Sequence, residues 1–213
     1  MIKTNFQEKQ WAGKFGDAYL ARNPKTIEEM DNRYLKAVGI KRTDLNKEFL
    51  NKLNRSIKIL EVGCNAGVQL MILQKMGFKN LYGIEINPRT VNVAKSLTKD
   101  INLIQGTILD IPFKDRYFDL VFTSGVLTHI APSNVKKAMK EIYRCTKKYI
   151  WGLETYADKY TEVIYRGNKN MLWKTNFPKL YLDFLKDLKM IKQKKLPYSA
   201  NNDVDIMFLL KKY

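Results

Sequence analysis

The sequence predicts an α/β fold in which helices cover both faces of a mainly parallel sheet. Segments with strand and helix patterns alternate from Ile57 onward, as they do in parallel sheets joined by crossover helices. The run ILEVGCNAGVQL, residues 59–70, joins a buried strand to a helix through closely spaced glycines, which is where such folds bind nucleotides. With 213 residues, 45% of them hydrophobic, the chain is long enough for one domain with a full core.

The elements follow in a regular order along the chain. Residues 5–53 place aromatic and charged side chains at helical spacing and predict a helical cap before the first strand. Residues 154–176 predict an irregular aromatic segment. We therefore expect a cap or lid over residues 1–55 and a cofactor-binding part over residues 56–213, both within one domain. The predicted strands are IKILEVG, NLYGIEI, INLIQG, FDLVFTSG, KYIWGLE, KMIKQKKL and VDIMFLLKK, and the helices between them are GVQLMILQKMG, PRTVNVAKSL, PSNVKKAMKEIYRCT and FPKLYLDFLKDL.

The charge and the apolar content of the chain limit the classes of protein to which it can belong. No apolar stretch is long enough to span a bilayer, and MIKTNFQEKQW lacks the apolar core of a signal peptide, so we expect a cytoplasmic protein. Cys64 and Cys145 show no metal or disulfide spacing, so we expect reduced thiols and no metal site. The net charge of +17 is consistent with a nucleic-acid partner, but the lysines are scattered and a small anionic molecule is the favoured partner. A monomer and a dimer are both compatible with the sequence.

The glycine turn argues against two kinds of phosphate site. A dinucleotide-binding turn needs glycines at the positions of Asn65 and Val68, and a triphosphate-binding loop needs a Lys-Ser/Thr pair that this turn lacks. What remains is Glu61 at the strand end, with Gly63 and Gly67 four residues apart. Asn65 lies between them and is one of the few residues besides glycine that tolerate positive φ. A carboxylate at the strand end attracts an ammonium group, which suits the amino-acid part of S-adenosylmethionine (SAM).

The second predicted strand ends in Glu85, 24 residues after Glu61. A carboxylate at this position accepts hydrogen bonds from both ribose hydroxyls of a bound nucleotide. Since NAD would be held in the same way, Glu85 alone does not distinguish SAM from NAD. The third strand leads into QGTILDIPF, a loop expected over the adenine ring, and the fourth ends in small polar residues beside the cofactor.

Four motifs in order, LEVGCNAG, GIEINP, GTILDIPF and FDLVFTSGVLTHI, resemble those of the class I SAM-dependent methyltransferases over residues 57–153. The resemblance implies a Rossmann-like sheet of seven strands, the last inserted antiparallel, with SAM as cofactor and S-adenosylhomocysteine as product. Asn65 and Thr107 depart from the usual glycine and acidic residue of these motifs. The cofactor-binding residues implied, with two cap residues placed over the site, are Trp11, Arg22, Glu61, Gly63, Cys64, Asn65, Gly67, Glu85, Ile86, Thr107, Ile108, Leu109, Ser124, Gly125 and Val126.

The flanking segments FQEKQWAGKFGDAYLARN, GVLTHI and IYRGNKNMLWKTNFP resemble the methyltransferases associated with pseudaminic acid biosynthesis. This resemblance implies methylation of an oxygen or nitrogen of a small anionic acceptor, a sugar or sugar nucleotide of the nonulosonic acid type used in bacterial surface glycans. Arg166, with Tyr165 beside it, is the candidate clamp for a carboxylate or phosphate; the alternative is a surface arginine that stabilises a loop. RNA methylation, favoured by the charge, and a SAM-binding partner protein without catalysis are the alternative functions.

His129 is the only histidine of the chain and lies beyond the fourth strand, where an acceptor should meet the methyl group. Histidine titrates near neutral pH and is suited to removing a proton from a hydroxyl. We expect His129 to be the catalytic base and to contact the substrate; the alternative is a structural histidine bonded to the backbone. Trp173, Phe177 and Tyr181, spaced four residues apart, predict a helix face packed on the sheet.

Overall fold

The computed structural model describes residues 5–213 and confirms the expected α/β architecture. Its α-helices are α1 (Phe6–Ala12), α2 (Lys14–Arg22), α3 (Ile27–Val38), α4 (Arg42–Leu50), α5 (Val68–Lys75), α6 (Pro88–Leu97), α7 (Pro132–Cys145) and α8 (Phe177–Phe184). Its strands are β1 (Lys58–Val62), β2 (Asn80–Glu85), β3 (Asn102–Gln105), β4 (Phe118–Ser124), β5 (Thr146–Thr155), β6 (Thr161–Tyr165), β7 (Asn168–Lys174), β8 (Leu188–Pro197) and β9 (Val204–Lys212). A short 3-10 turn covers Leu127–His129.

Seven of the strands form one sheet in the order β3-β2-β1-β4-β5-β9-β8. Strands β1 to β5 are parallel, and β9 is inserted antiparallel between β5 and β8. The expected sheet of seven strands with an antiparallel insertion is therefore confirmed. The strand order reverses between β1 and β4, and the carboxyl ends of strands at such a reversal form the crevice where α/β folds bind ligands.

Helices cover both faces of the sheet, and each face has its own apolar core. One face buries α7 and α8 through residues such as Met139 and Tyr181, which are 1% and 0% exposed. The other face buries α4, α5 and α6 through residues such as Phe49 and Leu73. The two cores support the sheet from opposite sides, so its carboxyl edge is a rigid base for a site.

The first two helices lie across the carboxyl edge of the sheet. Asn5 begins α1 with a reciprocal capping box to Glu8. The Gln7 amide then donates to the carbonyl of Asn170 in β7 at 3.1 Å, so α1 contacts the β6–β7 hairpin. The Asn87 amide, at the start of α6, donates to Asp17 of α2 at 3.1 Å. The predicted helical cap is thus present and is tied to two separate parts of the fold, while the exact division at residue 55 stays a prediction.

The segment predicted as irregular is instead ordered. Residues 161–174 form the antiparallel hairpin β6–β7, a second sheet of two strands. Trp173 therefore lies in a strand, and the prediction that it shares a helix face with Phe177 was wrong. Phe177 and Tyr181 do lie on α8 and are fully buried. The Asn176 side chain accepts a hydrogen bond from the backbone of Lys179 and so begins α8 after Trp173.

Three further observations concern the described residues. Within residues 5–213 no helix combines the length and apolar character needed to cross a bilayer. Cys64 and Cys145 are both buried and both free. The same residues contain no group of three or more His, Cys, Asp or Glu side chains placed to hold a metal ion.

Candidate functional site

Two adjoining cavities lie at the carboxyl edge of the sheet, under the first two helices. Their empty volumes are about 890 and 1220 Å³, including the space at their mouths. Both are within or just above the size range of small-molecule and cofactor sites. The cavities have a common wall, so together they offer one elongated space with two compartments. That wall consists of Tyr19, Gly63, Asn65, Ser124, Gly125 and His129.

The turn between β1 and α5 forms part of the common wall through Gly63 and Asn65. Both residues have positive φ angles. Gly63 has φ of 74°, and a Cβ there would lie 2.7 Å from Cγ2 of Val126, so no larger residue fits. Asn65 has φ of 46°, which confirms that asparagine replaces a glycine in this turn. The backbone N–H of Asn65 donates to Glu85 at 3.0 Å and thereby joins the ends of β1 and β2.

Glu61 and Gln69 present unpartnered polar atoms to the wider cavity. Glu61 is 2% exposed, and its Oε2 has no hydrogen-bond partner in the part of the chain that the structure describes. Burial raises the pKa of this carboxyl well above its ordinary value. Gln69 is 4% exposed; its Oε1 accepts from Asn46 at 3.2 Å, while its Nε2 has no described partner. A buried acceptor and a buried donor are the pair that an ammonium and a carboxylate group require, so these residues fit the amino-acid part of SAM.

The narrower cavity lies between the ends of β2 and β3 and the first helix. Glu85 lines it and accepts from the backbone N–H of Asn87 at 3.1 Å. Thr107 and Ile108 form another part of its lining. The Thr107 hydroxyl donates to Glu8, which links α1 directly to the loop after β3. A carboxylate opposite a small, partly apolar wall is an arrangement suited to a nucleoside.

The structure brings most of the residues predicted for the site together. Those that line the narrower cavity are Trp11, Gly63, Asn65, Glu85, Ile86, Thr107, Ile108, Ser124, Gly125, Val126 and His129. Those that line only the wider one are Glu61, Cys64 and Tyr165. Those that line neither are Arg22, Gly67, Leu109 and Arg166.

The residues outside the cavities have evident structural positions. Arg166 is exposed at the turn of the β6–β7 hairpin, with φ of 51°, so its placement does not support the predicted clamp. Arg22 lies with its guanidinium 5.0 Å from the ring centre of Tyr19, behind the cavity wall. Gly67 begins α5 with φ of 77°, and Leu109 is buried in the core with 8% exposure. The predicted contacts of these four residues therefore stay predictions, since none of the four lines a cavity.

His129 lies in the common wall and is 8% exposed. Its Nδ1 lies 2.6 Å from the carbonyl oxygen of Met171. A carbonyl only accepts, so Nδ1 carries the hydrogen and Nε2 has the lone pair. Burial lowers the pKa of this imidazole to about 4, so it is neutral at physiological pH. The ring centre lies 4.6 Å from that of Trp11 and 5.1 Å from that of Tyr165.

Glu154 supports the turn that carries His129. The sequence left this residue open between an acceptor contact and a solvated carboxylate, and the structure places it inside, with 1% exposure. Its carboxylate accepts from the backbone N–H groups of Val126 and Thr128, both at 3.2 Å. Burial raises the pKa of Glu154 to about 7. The side chain also lines the wider cavity, so it belongs to the site.

Five residues in or beside the wider cavity had not been predicted from the sequence. Tyr34 and Arg33 come from α3, Tyr198 follows β8, and Asp205 is the second residue of β9; all four line the cavity. Arg42 of α4 is fully buried beside it and donates to the Tyr34 hydroxyl at 2.8 Å and to Ser124 Oγ at 3.2 Å. These residues come from segments far apart in the chain, so no local sequence motif contains them.

Comparison with known proteins finds similarity over the central segment of the chain. Residues 60–149 match the family model described as a methyltransferase domain. An uncharacterized methyltransferase of Synechocystis sp. is 28% identical over 90 residues, 42% of each chain. The phosphoethanolamine N-methyltransferase of Plasmodium falciparum is 26% identical over 119 residues, 54% of this chain and 44% of its own. The chain thus covers less than half the length of either relative.

Solved structures share the fold of nearly the whole chain. A protein of Pyrococcus horikoshii has a TM-score of 0.68 at 15% identity, over 94% of this chain and 99% of its own. The 1,6-didemethyltoxoflavin-N1-methyltransferase of Burkholderia thailandensis, with bound S-adenosylhomocysteine, has a TM-score of 0.62 at 11% identity, over 80% and 76%. The [4+2]-cyclase SpnF has a TM-score of 0.64 at 15% identity over 80% of each chain. These likenesses show the class I methyltransferase fold, and the cyclase shows that this fold is not tied to one reaction.

Proposed function

We propose that the chain is a SAM-dependent methyltransferase that acts on an oxygen or nitrogen of a small polar acceptor. The observation that carries the proposal is the pair of adjoining cavities with His129 in their common wall. One compartment has the lining of a nucleoside site, and the other extends beyond it with polar and aromatic walls. The match of residues 60–149 to a methyltransferase domain supports the same activity.

In this proposal the residues of the two cavities would hold the cofactor. Glu61 would accept from the ammonium group of SAM, and the Gln69 amide would donate to its carboxylate. Glu85 would accept from the ribose hydroxyls, while Thr107 and Ile108 would contact adenine. When bound, SAM supplies a methyl group made electrophilic by the neighbouring sulfonium. The buried, unpartnered atoms of Glu61 and Gln69 support this orientation, since either would otherwise lack a hydrogen bond.

His129 is placed to remove a proton from a hydroxyl acceptor. Nδ1 is occupied by Met171, which leaves the lone pair of Nε2 as the basic site. The lone pair of Nε2 would accept the proton of an acceptor hydroxyl as that oxygen is methylated. An amine acceptor that arrives unprotonated needs no base before the transfer and releases its proton afterwards.

The finer proposal for the acceptor is an anionic sugar or sugar nucleotide of the surface-glycan type. The resemblance of the flanking segments to the pseudaminic acid-associated methyltransferases supports it. Arg33 is the one arginine or lysine among the described residues that line the wider cavity. We therefore assign the anionic group of the acceptor to Arg33, at the exposed side of the cavity, in place of Arg166.

RNA methylation is the second candidate, and one observation favours it. A net charge of +17 attracts nucleic acid without regard to sequence. If RNA is the acceptor, methyl transfer falls steeply with added salt, because binding releases counterions from the phosphates. Transfer to a small molecule does not show that dependence.

Calorimetric titration with SAM tests the cofactor assignment. We expect Glu61→Gln to bind SAM at least about 10-fold more weakly than the unmodified protein, because it loses a charge-assisted hydrogen bond. Glu28→Gln is the matched control, since Glu28 is an exposed carboxylate on α3 outside both cavities. Equal SAM affinity for the unmodified protein and Glu61→Gln would show that the cofactor is held in some other way.

A further inference from the structure

The wider cavity is lined by residues to which the proposed function assigns no cofactor contact, among them Asp205 and Tyr198. Strand β9 runs antiparallel to β5 and pairs Asp205 with Thr155, so its first residues lie at the carboxyl edge of the parallel strands. Tyr198 follows β8 and reaches the same edge, where its backbone N–H donates to Asp203 at 2.8 Å. The antiparallel pair thus brings a carboxylate to the acceptor side of the site.

Asp205 has an unused acceptor atom inside the cavity wall. The side chain is 6% exposed, and its Oδ2 accepts from the Tyr198 hydroxyl at 3.0 Å. Its Oδ1 is buried and has no hydrogen-bond partner within residues 5–213. A buried carboxylate is costly unless it is paired, and one kept without a partner beside a cavity indicates a ligand.

No nearby cation of the described residues forms an ion pair with Asp205. Lys174 pairs with Asp203, two residues earlier in the chain. The buried Arg42 donates to Tyr34 and Ser124, and to Asn46 at 2.9 Å. The charges of Arg42 and Lys174 are close enough to lower the pKa of Asp205, but neither side chain donates a hydrogen bond to Oδ1. Oδ1 is therefore available to a donor group that enters the cavity.

Two tyrosines lie near Asp205. Tyr198 donates to its Oδ2, and Tyr34 is close enough for the charge of Asp205 to raise its pKa. Both line the same cavity. Aromatic rings and a carboxylate together attract a cation, since the ring quadrupole and the charge act in the same direction. A neutral hydroxyl would satisfy the hydrogen bond to Oδ1 but would gain less from the carboxylate charge than an ammonium group does.

We propose that Asp205 binds a protonated amino group of the methyl acceptor. The inference rests on the proposed function and names the substrate class: a small molecule that carries an amine as well as an anionic group. The amine is an anchor at Asp205, the anionic group faces Arg33, and the atom that receives the methyl group lies at the common wall beside His129. An amino sugar linked to a phosphate or carboxylate has this combination of groups.

A binding experiment tests the proposal without relying on catalysis. The protein loaded with S-adenosylhomocysteine is equilibrated with small-molecule extract of the source cells, and retained molecules are identified by mass spectrometry. A second portion of the extract is first treated with acetic anhydride, which blocks primary amines. The variants are Asp205→Asn, which removes the charge at nearly constant shape, and Asp183→Asn as the control, since Asp183 is an exposed carboxylate on α8 outside both cavities.

We expect the unmodified protein and Asp183→Asn to retain an amine-bearing molecule at least about 10-fold more than Asp205→Asn does, the loss expected for one charged hydrogen bond. None of the three should retain it from the acetylated extract. Equal retention by Asp205→Asn, or unchanged retention after acetylation, would overturn the proposal. If Asp205→Asn does not fold, the comparison of the two extracts on the unmodified protein still decides the question.

Kinetics with the retained molecule separate the two proposals. We expect Asp205→Asn to raise KM for the acceptor at least about 10-fold, while kcat and SAM affinity change little, because an anchor contributes to binding more than to the transfer step. Its Tm should equal or exceed that of the unmodified protein, since a buried, unpaired charge is removed. Retention of the amine without methyl transfer contradicts the proposed function alone. Equal transfer into the acetylated extract contradicts the Asp205 proposal alone.

Discussion

The Nδ1 atom of His129 lies 2.6 Å from the main-chain carbonyl oxygen of Met171. Met171 belongs to β7, so the hairpin that was predicted to be irregular fixes both the orientation and the tautomer of the imidazole. Glu154 of β5 holds the 3-10 turn that carries His129, because its carboxylate accepts from the backbone N–H groups of Val126 and Thr128. The candidate base is therefore positioned by two separate strands, as a preorganised catalytic group requires.

Two substitutions of His129 separate its two nitrogens. Asparagine places an N–H near the position of Nδ1 and keeps the bond to Met171, whereas glutamine reaches toward the position of Nε2 and loses that bond. If Nε2 is the base, both variants should lower kcat by about 100-fold or more, the usual contribution of a general base. Only His129→Gln should also lower Tm clearly. Near-normal kcat in His129→Asn would contradict the catalytic role.

The pH dependence of stability follows from the buried imidazole. Its pKa of about 4 in the folded protein lies below the ordinary value of 6.5, so below pH 6.5 the unfolded chain binds the proton more readily. The free energy of unfolding should therefore decrease as the pH falls from about 7 to about 4, by about 3 kcal/mol relative to His129→Asn. Glu154, with its raised pKa, acts in the opposite direction, so the difference between the two proteins is the quantity to measure. Parallel urea titrations of both at each pH provide it, and a constant difference would contradict a neutral, buried His129.

The low pKa of His129 predicts that this residue adds no ionisation near pH 6.5 to the pH profile of kcat. An imidazole with a pKa of about 4 is already unprotonated at neutral pH, so any rise of kcat in this range should come from another group, such as Glu154 with its pKa of about 7, and should persist in His129→Asn. Steady-state rates at saturating SAM across this range provide the measurement. A rise of kcat with a midpoint near 6.5 that disappears in His129→Asn would mean that the imidazole is more exposed in the working enzyme.

Arg33 and Arg166 are the two alternative binding residues for the anionic part of the acceptor, and matched substitutions compare them. Arg33 lines the wider cavity, whereas Arg166 is exposed at the hairpin turn and lines neither cavity. We expect Arg33→Ala to raise KM for an anionic acceptor about 10-fold, and Arg166→Ala to change it less than about 2-fold. Steady-state kinetics with a fixed SAM concentration measure both. The reverse order would support the clamp at Arg166 that the sequence predicts, and would require the hairpin to move.

Asn87 connects the cap to the cofactor edge, and two substitutions divide its functions. Its Oδ1 accepts from the backbone of Thr90 at the start of α6, while its Nδ2 donates to Asp17 and the carbonyl of Trp11. Aspartate keeps the helix cap but loses the donor and repels Asp17. Asn87→Asp should therefore release labelled SAM about 10-fold faster, as expected for one or two lost hydrogen bonds. Asn87→Ala should also lower the stability by about 1 kcal/mol through loss of the cap. Unchanged release from Asn87→Asp would show that the cap does not control cofactor exchange.

Local sequence was sufficient to predict the site residues that lie in one short segment of the chain. Glu61, Gly63 and Asn65 stand in one turn, so the apolar run before them and the φ tolerance of asparagine predicted both the turn and its position in the site. Glu85 followed from the next strand, because register pairs Glu61 with Gly83 and brings the two strand ends together.

Local sequence was insufficient where contacts join distant segments. Asp205 meets Thr155 only because β9 inserts between β5 and β8, and no residue near either one signals that pairing. The hairpin β6–β7 escaped prediction because most residues of β6 are exposed, so the strand shows no apolar alternation. Trp173 was assigned to a helix because its spacing from Phe177 matches a helical turn by coincidence. Periodicity indicates which positions are buried, but not which distant strand covers them.

Transfer of labelled methyl from SAM into extract of the source cells tests the central claim most directly. Label should be counted separately in the small-molecule, RNA and protein fractions, with the unmodified protein and with a Glu61→Ala, Glu85→Ala double variant. We expect label in the small-molecule fraction with the unmodified protein, and none above background with the double variant. Label in RNA alone would show that the net charge indicates the acceptor better than the cavity does. Equal label with the double variant would contradict the cofactor site itself.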